Sequence, residues 1–291
     1  MEKQEAIKLD KIDNKILAEL DINSRTPSSK IAKKLRISRN IVDYRIKKLV
    51  ESGVIVAFNA FIDPAKFNQI SWKVYLRFQN LSPKKEKELI SYLAKHKKVW
   101  WIIRCAGAFD LMFSMLTESI HDFYEDILDF NSHFSNYIIE TELTSHIDPE
   151  FYSRGYLGKE SMVPSKPFLI KPTKLDFDHE DIELLKILGQ NCRMPLTDVA
   201  HKLKSTPRII RYRMDKLEQA GVITWYRIVL DASKLGREYY KTIINFKGIT
   251  KKKERAFLQY CHDHPEIINI SRAAGPWDFE FECEVASYHK Y

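Results

Sequence analysis

Two short stretches of this chain carry the side chains best suited to chemistry, and that chemistry is recognition rather than bond-making. Arg39, Asn40, Asp43, Tyr44 and Lys47 share one face of a helical pattern over residues 39–52. Arg208, Arg211, Tyr212 and Asp215 hold a corresponding face further on. Arg, Asn and Lys are side chains that read base edges in a major groove. Ser38 and Thr206 stand where a helix N-cap hydroxyl belongs, and Ser28 opens the helix before the first stretch. Together Ser28, Ser38, Arg39, Asn40, Asp43, Tyr44, Lys47, Thr206, Arg208, Arg211, Tyr212 and Asp215 form the candidate contact set for double-stranded DNA.

The charge distribution points the same way. Residues 24–50 hold nine basic side chains against Asp43 alone, and residues 192–218 hold seven against three acidic ones. The rest of the chain has 31 basic and 35 acidic residues, so these two segments account for the whole net charge of +8. Positive charge concentrated on a folded module is the footprint expected for a phosphate backbone.

Catalytic patterns are missing. There is no Gly-rich phosphate loop, no His-Glu-x-x-His and no nucleophile motif. Cys105, Cys192, Cys261 and Cys283 are scattered without a Cys-x-x-Cys pair, which argues against zinc or a disulfide framework and fits a reducing compartment. His262-Asp263-His264 reads as a surface loop, and no metal or cofactor is implied. No apolar run is longer than residues 99–103, far short of the roughly 20 needed for a membrane span. Residues 1–10 lack an apolar signal stretch, so a cytoplasmic protein without a membrane partner is expected.

The elements that must position these side chains occur twice. Sliding the sequence by 168 residues aligns residues 13–55 with 181–223 at 17 identities in 43 positions, without gaps. A weaker match continues from residues 72–123 to 240–291. Each first part reads as three helices, the last two joined by a tight turn, the helix-turn-helix arrangement. Ile41, Val42, Ile46, Leu49 and Val50 form the expected apolar face of the third helix, which Gly53 ends. A strand over residues 54–60 follows and resembles a wing. The second part reads as βαββαβ, a ferredoxin-like sheet with one face bare and expected to be apolar.

The resulting expectation is an α+β chain. Residues 1–63 form a winged helix-turn-helix domain, 64–146 a ferredoxin-like sensing domain and 147–174 a proline-rich linker. Residues 175–231 form the second winged domain and 232–291 a second, incomplete ferredoxin-like domain. The linker could span about 90 Å, enough to let the copies pair through their sheets within one molecule. Further homo-oligomerisation through sheet or helix contacts stays open.

Both units resemble the Lrp/AsnC (leucine-responsive) family of transcriptional regulators. The carrying residues are Leu9-Asp10-Lys11-Ile12-Asp13, the run from Ile41 through Arg45, Leu49 and Gly53-Val54-Ile55, and the loop Gly107-x-x-Asp110. Their counterparts are Tyr212-Arg213-Met214, Leu217-Glu218, Gly221-Val222-Ile223 and Gly275-x-x-Asp278. The resemblance implies DNA-binding regulation, not enzymatic turnover, modulated by an amino-acid-like effector. It places that effector near Gly107, Phe109 and Asp110, and near Gly275, Trp277 and Asp278. Pro276 removes one N–H from the second loop, which favours the first.

Two departures are visible. Family members usually carry one unit where this chain carries two, and the second sensing part stops at the equivalent of Phe123, which predicts a shortened chain. The alternative is an enzyme resembling sirohaem decarboxylases. That reading calls for a His/Arg/Tyr-rich segment where residues 99–110 offer only Arg104 and the second copy only Arg272.

Overall fold

The computed structural model describes residues 6–158 and 176–291. The first helix-turn-helix consists of α1 (Lys11–Ile22), α2 (Ser28–Leu35) and α3 (Arg39–Glu51), followed by β1 (Ile55–Ile62). Ile16, Leu17, Leu20, Ile31, Val42, Ile46 and Leu49 form its core. Arg36 closes the tight turn after α2 with a left-handed backbone (φ 56°), and its counterpart Lys204 does the same (φ 51°).

Next come β2 (Ile70–Phe78), α4 (Pro83–Lys95), β3 (Val99–Arg104), β4 (Leu111–Thr117), α5 (Ile120–Phe134) and β5 (Ile138–Phe151). The second copy provides α6 (His179–Asn191), α7 (Leu196–Lys202), α8 (Pro207–Gln219) and β6 (Ile223–Leu230). It then provides β7 (Glu238–Ile244), α9 (Lys251–Asp263), β8 (Ile267–Ala274) and β9 (Phe279–Val285).

The strand read as a wing crosses to the other copy. β1 and β6 pair antiparallel, with Asn59 opposite Arg227. Those residues are equivalent positions of the repeat, so a pseudo-two-fold axis passes between them. A lone strand leaves its ladder groups unpaired, and the duplicate supplies the partner. Each strand also completes the other copy's core. Ile228 and Leu230 pack under α1–α3, while Ala60, with Phe58 and Ile62, packs under α6–α8.

The sensing parts merge into one seven-stranded sheet of order β3-β4-β2-β5-β8-β9-β7. β5 joins the halves by pairing with β8 from Ser145 to Phe151. The expected linker therefore begins later than Ile147. β5 runs on to Phe151, and Tyr152, Ser153, Arg154 and Leu157 are buried beyond it. Residues 159–174 of that linker lie outside the described residues.

Helices α4 and α5 cover the first half-sheet, and α9 covers the second. The helix-free faces meet each other, partly through an apolar cluster of Tyr75, Met112 and Trp277 as expected, and partly through buried charge. Alternation along β9 turns Glu280, Glu282 and Glu284 inward. Lys73 and Lys241 reach Glu280 at 3.0 and 3.1 Å, and Lys241 reaches Glu282 at 2.6 Å. The first-copy counterparts of these glutamates are Met112, Ser114 and Leu116. The Lys73–Glu280 pair therefore joins the first half to the second and has no mirror-image counterpart, while Lys241 pairs within the second half.

Candidate nucleic-acid interface

The two recognition helices, α3 and α8, are set in place by the same device. Asp10 and Asp178 cap α1 and α6, each in a capping box completed by Asp13 and Asp181. Arg45 then reaches Asp10 and Asp13 at 2.6 and 2.7 Å, while Arg213 reaches Asp178 and Asp181 at 2.7 Å each. The Asp13 backbone N–H, and then Arg45, hold the Asp10 carboxyl below its usual range. Ser38 and Thr206 cap the recognition helices, accepting from Ile41 N and Ile209 N at 3.3 Å.

From this frame the predicted contact residues project outward. Arg39, Asn40, Asp43, Tyr44 and Lys47 are exposed, as are Arg208, Arg211 and Tyr212, while Asp215 is half-buried. Arg39 pairs with Asp43 at 3.3 Å and Lys47 with Glu51 at 3.7 Å. Such exposed pairs are worth little and can exchange for phosphate. Arg208 and Arg211 make no ion pair among the described residues. The second helix, despite its lower segment charge, thus presents the less compensated arginines.

Three readings need correction. Ser28 is buried, and its hydroxyl accepts from the Arg193 guanidinium at 3.1 Å, so it faces the other copy rather than a groove. Arg193 also donates to the carbonyls of Ser24 and Thr26 at 2.6 and 2.8 Å. Its equivalent Arg25 donates to the Cys192 carbonyl, and Ser24 and Cys192 share a 3.0 Å hydrogen bond across the axis. Arg25 sits over Tyr226 and Arg193 over the matching Phe58. Two arginines counted as phosphate-binding charge are therefore a reciprocal clasp between the modules. Their place in a loop outside any helix face, with Asn and Pro beside them in both copies, was the available signal. Third, Ile41 and Val50 are exposed, because Val42, Ile46 and Leu49 suffice for the core.

The two sensing loops have diverged. Asp110 and Asp278 each accept a backbone N–H, from Phe78 at 2.7 Å and Phe246 at 2.6 Å, which pins the end of the adjacent strand. Gly107 has open space around it. It lies in the loop beside a cleft of about 340 Å³ lined by Asn80, Glu86, Arg104, Cys105 and Asp110. Phe109 turns the other way, against Tyr75 and Trp277. In the second loop a Cβ on Gly275 would meet the Leu143 carbonyl at 2.7 Å, and Trp277 is buried between the half-sheets. The first copy's β5 thus occupies the space that an effector at Gly275 and Trp277 would need.

These features define a duplicated helix-turn-helix protein joined to a paired ferredoxin-like sheet. Residues 9–50 match the AsnC-type helix-turn-helix domain, and residues 177–224 match a winged helix-turn-helix DNA-binding domain. An uncharacterised HTH-type transcriptional regulator of Pyrococcus abyssi is 31% identical over 122 residues, covering 42% of this chain and 81% of that protein. The HTH-type transcriptional regulator FL11 of Pyrococcus horikoshii is 30% identical over 113 residues, covering 39% of this chain and 74% of its own. The chain belongs to the Lrp/AsnC family of helix-turn-helix transcriptional regulators. A crystal structure of the siroheme decarboxylase NirDL covers 96% of this chain and 83% of its own at 12% identity and a TM-score of 0.62. That likeness is one of fold. Among the described residues no helix is long and apolar enough to cross a membrane, and no cluster of ligands could hold a metal ion.

Proposed function

We propose that this chain is a transcriptional regulator that binds double-stranded DNA as a single-chain counterpart of a dimer, with two unlike recognition helices held in fixed relation. The observation that carries it is the β1–β6 pairing with the Arg25/Arg193 clasp, which joins two outward-facing recognition helices about one pseudo-two-fold axis. Arg39, Asn40, Asp43 and Lys47 correspond to Pro207, Arg208, Arg211 and Asp215, so the operator is an imperfect inverted repeat. Asn favours adenine and Arg favours guanine.

Binding to duplex DNA selected from random sequence is expected to weaken steeply with salt, because each neutralised phosphate contributes about 0.9 to the slope of log affinity on log salt. Arg39→Ala with Lys47→Ala should lower that slope by about 1–2. Footprinting should show two protected half-sites of unlike sequence. A perfect palindrome, or affinity unmoved by these substitutions at both low and moderate salt, contradicts the reading.

The effector reading is confined to the first loop, where the effector's carboxylate and ammonium would replace the Arg104–Glu86 pair beside Asp110 in the cleft. Calorimetry against the amino acids is expected to give one site per chain, weakened by Arg104→Ala. No heat with any of them leaves the loop a plain turn. The protein acts in this reading as a regulator, not a decarboxylase. Residues 99–110 hold Arg104 alone among His, Arg and Tyr side chains, and the equivalent residues 267–278 hold Arg272 alone, too few to bind a tetrapyrrole's several carboxylates. Incubation with a sirohaem-type tetrapyrrole should therefore leave the pigment's absorbance unchanged.

A further inference from the structure

We infer that Ile41 and Ile209 each read the 5-methyl group of a thymine, at matched places in the two half-sites. The inference rests on the DNA-binding reading above and names the base that both helices recognise in common. Helical periodicity assigns Ile41 to the core, and Ile209 is its repeat equivalent, yet they are 41% and 45% exposed. Neither is needed inside, since Val42, Ile46 and Leu49, and Ile210, Met214 and Leu217, fill the two cores.

Each isoleucine lies one helical turn before an exposed tyrosine, Tyr44 or Tyr212, on the same side of its helix. The pair recurs at the repeat offset while its neighbours change. Asn40 has become Arg208, Asp43 has become Arg211 and Lys47 has become Asp215. Divergence in the polar readers with retention of a branched aliphatic at the surface separates two tasks. The polar positions distinguish the half-sites, and the aliphatic position reads something the half-sites share. In the major groove the apolar group on a base edge is the C5-methyl of thymine, which apolar side chains contact. Arg39 and Asn40 beside Ile41, and Arg208 beside Ile209, give the polar surroundings that a base edge and its phosphates require.

The test uses the full-length protein and the duplex it selects from random DNA. Each thymine is replaced in turn by deoxyuridine, which keeps its base pairing and loses only the methyl. One thymine in each half-site is expected to weaken binding about fourfold when replaced, the equivalent of ~0.8 kcal/mol for one buried methyl group. Ile41→Ala should remove the sensitivity at one half-site and Ile209→Ala at the other. Each variant should keep its response to salt, because phosphate contacts are untouched. If deoxyuridine is neutral at every position in DNA that the protein binds and selects, the inference falls while the regulator reading stands. Sensitivity that persists in both variants also overturns it. Failure of the protein to bind duplex DNA at low salt removes the regulator reading and this inference with it.

Discussion

Replacing Arg154 by leucine is expected to cost the fold about 3–5 kcal/mol, the usual penalty for leaving a buried charge without its partner. Arg154 is buried just beyond β5 and donates from its backbone N–H and its Nη1 to Asp21, both at 2.6 Å. Its Nε and Nη2 donate to Glu284 at 2.9 and 3.1 Å. Arg227 of β6 reaches Asp21 at 3.2 Å, and the Tyr156 hydroxyl donates to Glu284. Burial would raise Asp21, but Arg227 and Arg154 hold its carboxyl below the usual range. The network therefore ties α1, β6 and β9, and with them the helix-turn-helix pair to the second sensing half.

It exists on one side of the axis, because the counterparts of Asp21, Arg227 and Glu284 are Gly189, Asn59 and Leu116. Urea unfolding should show the loss. Arg154→Leu combined with Glu284→Leu should recover part of it, since two apolar side chains replace a charge pair more cheaply than one charge is left alone. A loss below about 1 kcal/mol for the single variant would show that water reaches the site and screens it.

Stability is expected to fall as pH drops below 6.5, and His146 is expected to carry most of the fall down to about 4.5. Burial, followed by the charge of Lys73, pushes His146 from its ordinary 6.5 to about 3. The groups facing it are Lys73, Lys241, Glu280 and Glu282. The folded state keeps the imidazole neutral while the unfolded chain protonates near 6.5. Between those values the unfolded state binds more protons, so acid favours it, by at most ~5 kcal/mol near pH 3. Glu280 and Glu282 add to the loss on further acidification. Burial opposes their charge, but the lysines overcome it and hold Glu282 at about 2. Denaturation of the His146→Gln variant should show a flatter stability profile between pH 7 and 5 than the parent chain. Equal slopes would refute the assignment.

The duplication, the helices and the outward reading face were legible in the sequence because they are set locally. Caps, turn residues and a 3.6-residue period act within a few positions, and an ungapped offset of 168 residues exposes the repeat directly. What each charge does was not legible. Arg25 and Lys30 look alike in composition, yet Arg25 is spent on the clasp while Lys30 is exposed. Likewise Ile41 has the spacing of a core residue, and only the filled core shows that it is surplus.

The same holds for the sensing part. Alternation along residues 279–285 gives a strand but does not say that its glutamates turn inward, since a charged face normally marks solvent. Tertiary structure decided that β1 pairs with β6, that β5 pairs with β8, and that Lys73 of the first half meets Glu280 of the second. It also made Gly107 open and Gly275 closed, although both loops share the spacing Gly-x-x-Asp. Local sequence fixes which residues share a face. Which face becomes interior depends on a partner more than a hundred residues away, and no short-range pattern records it.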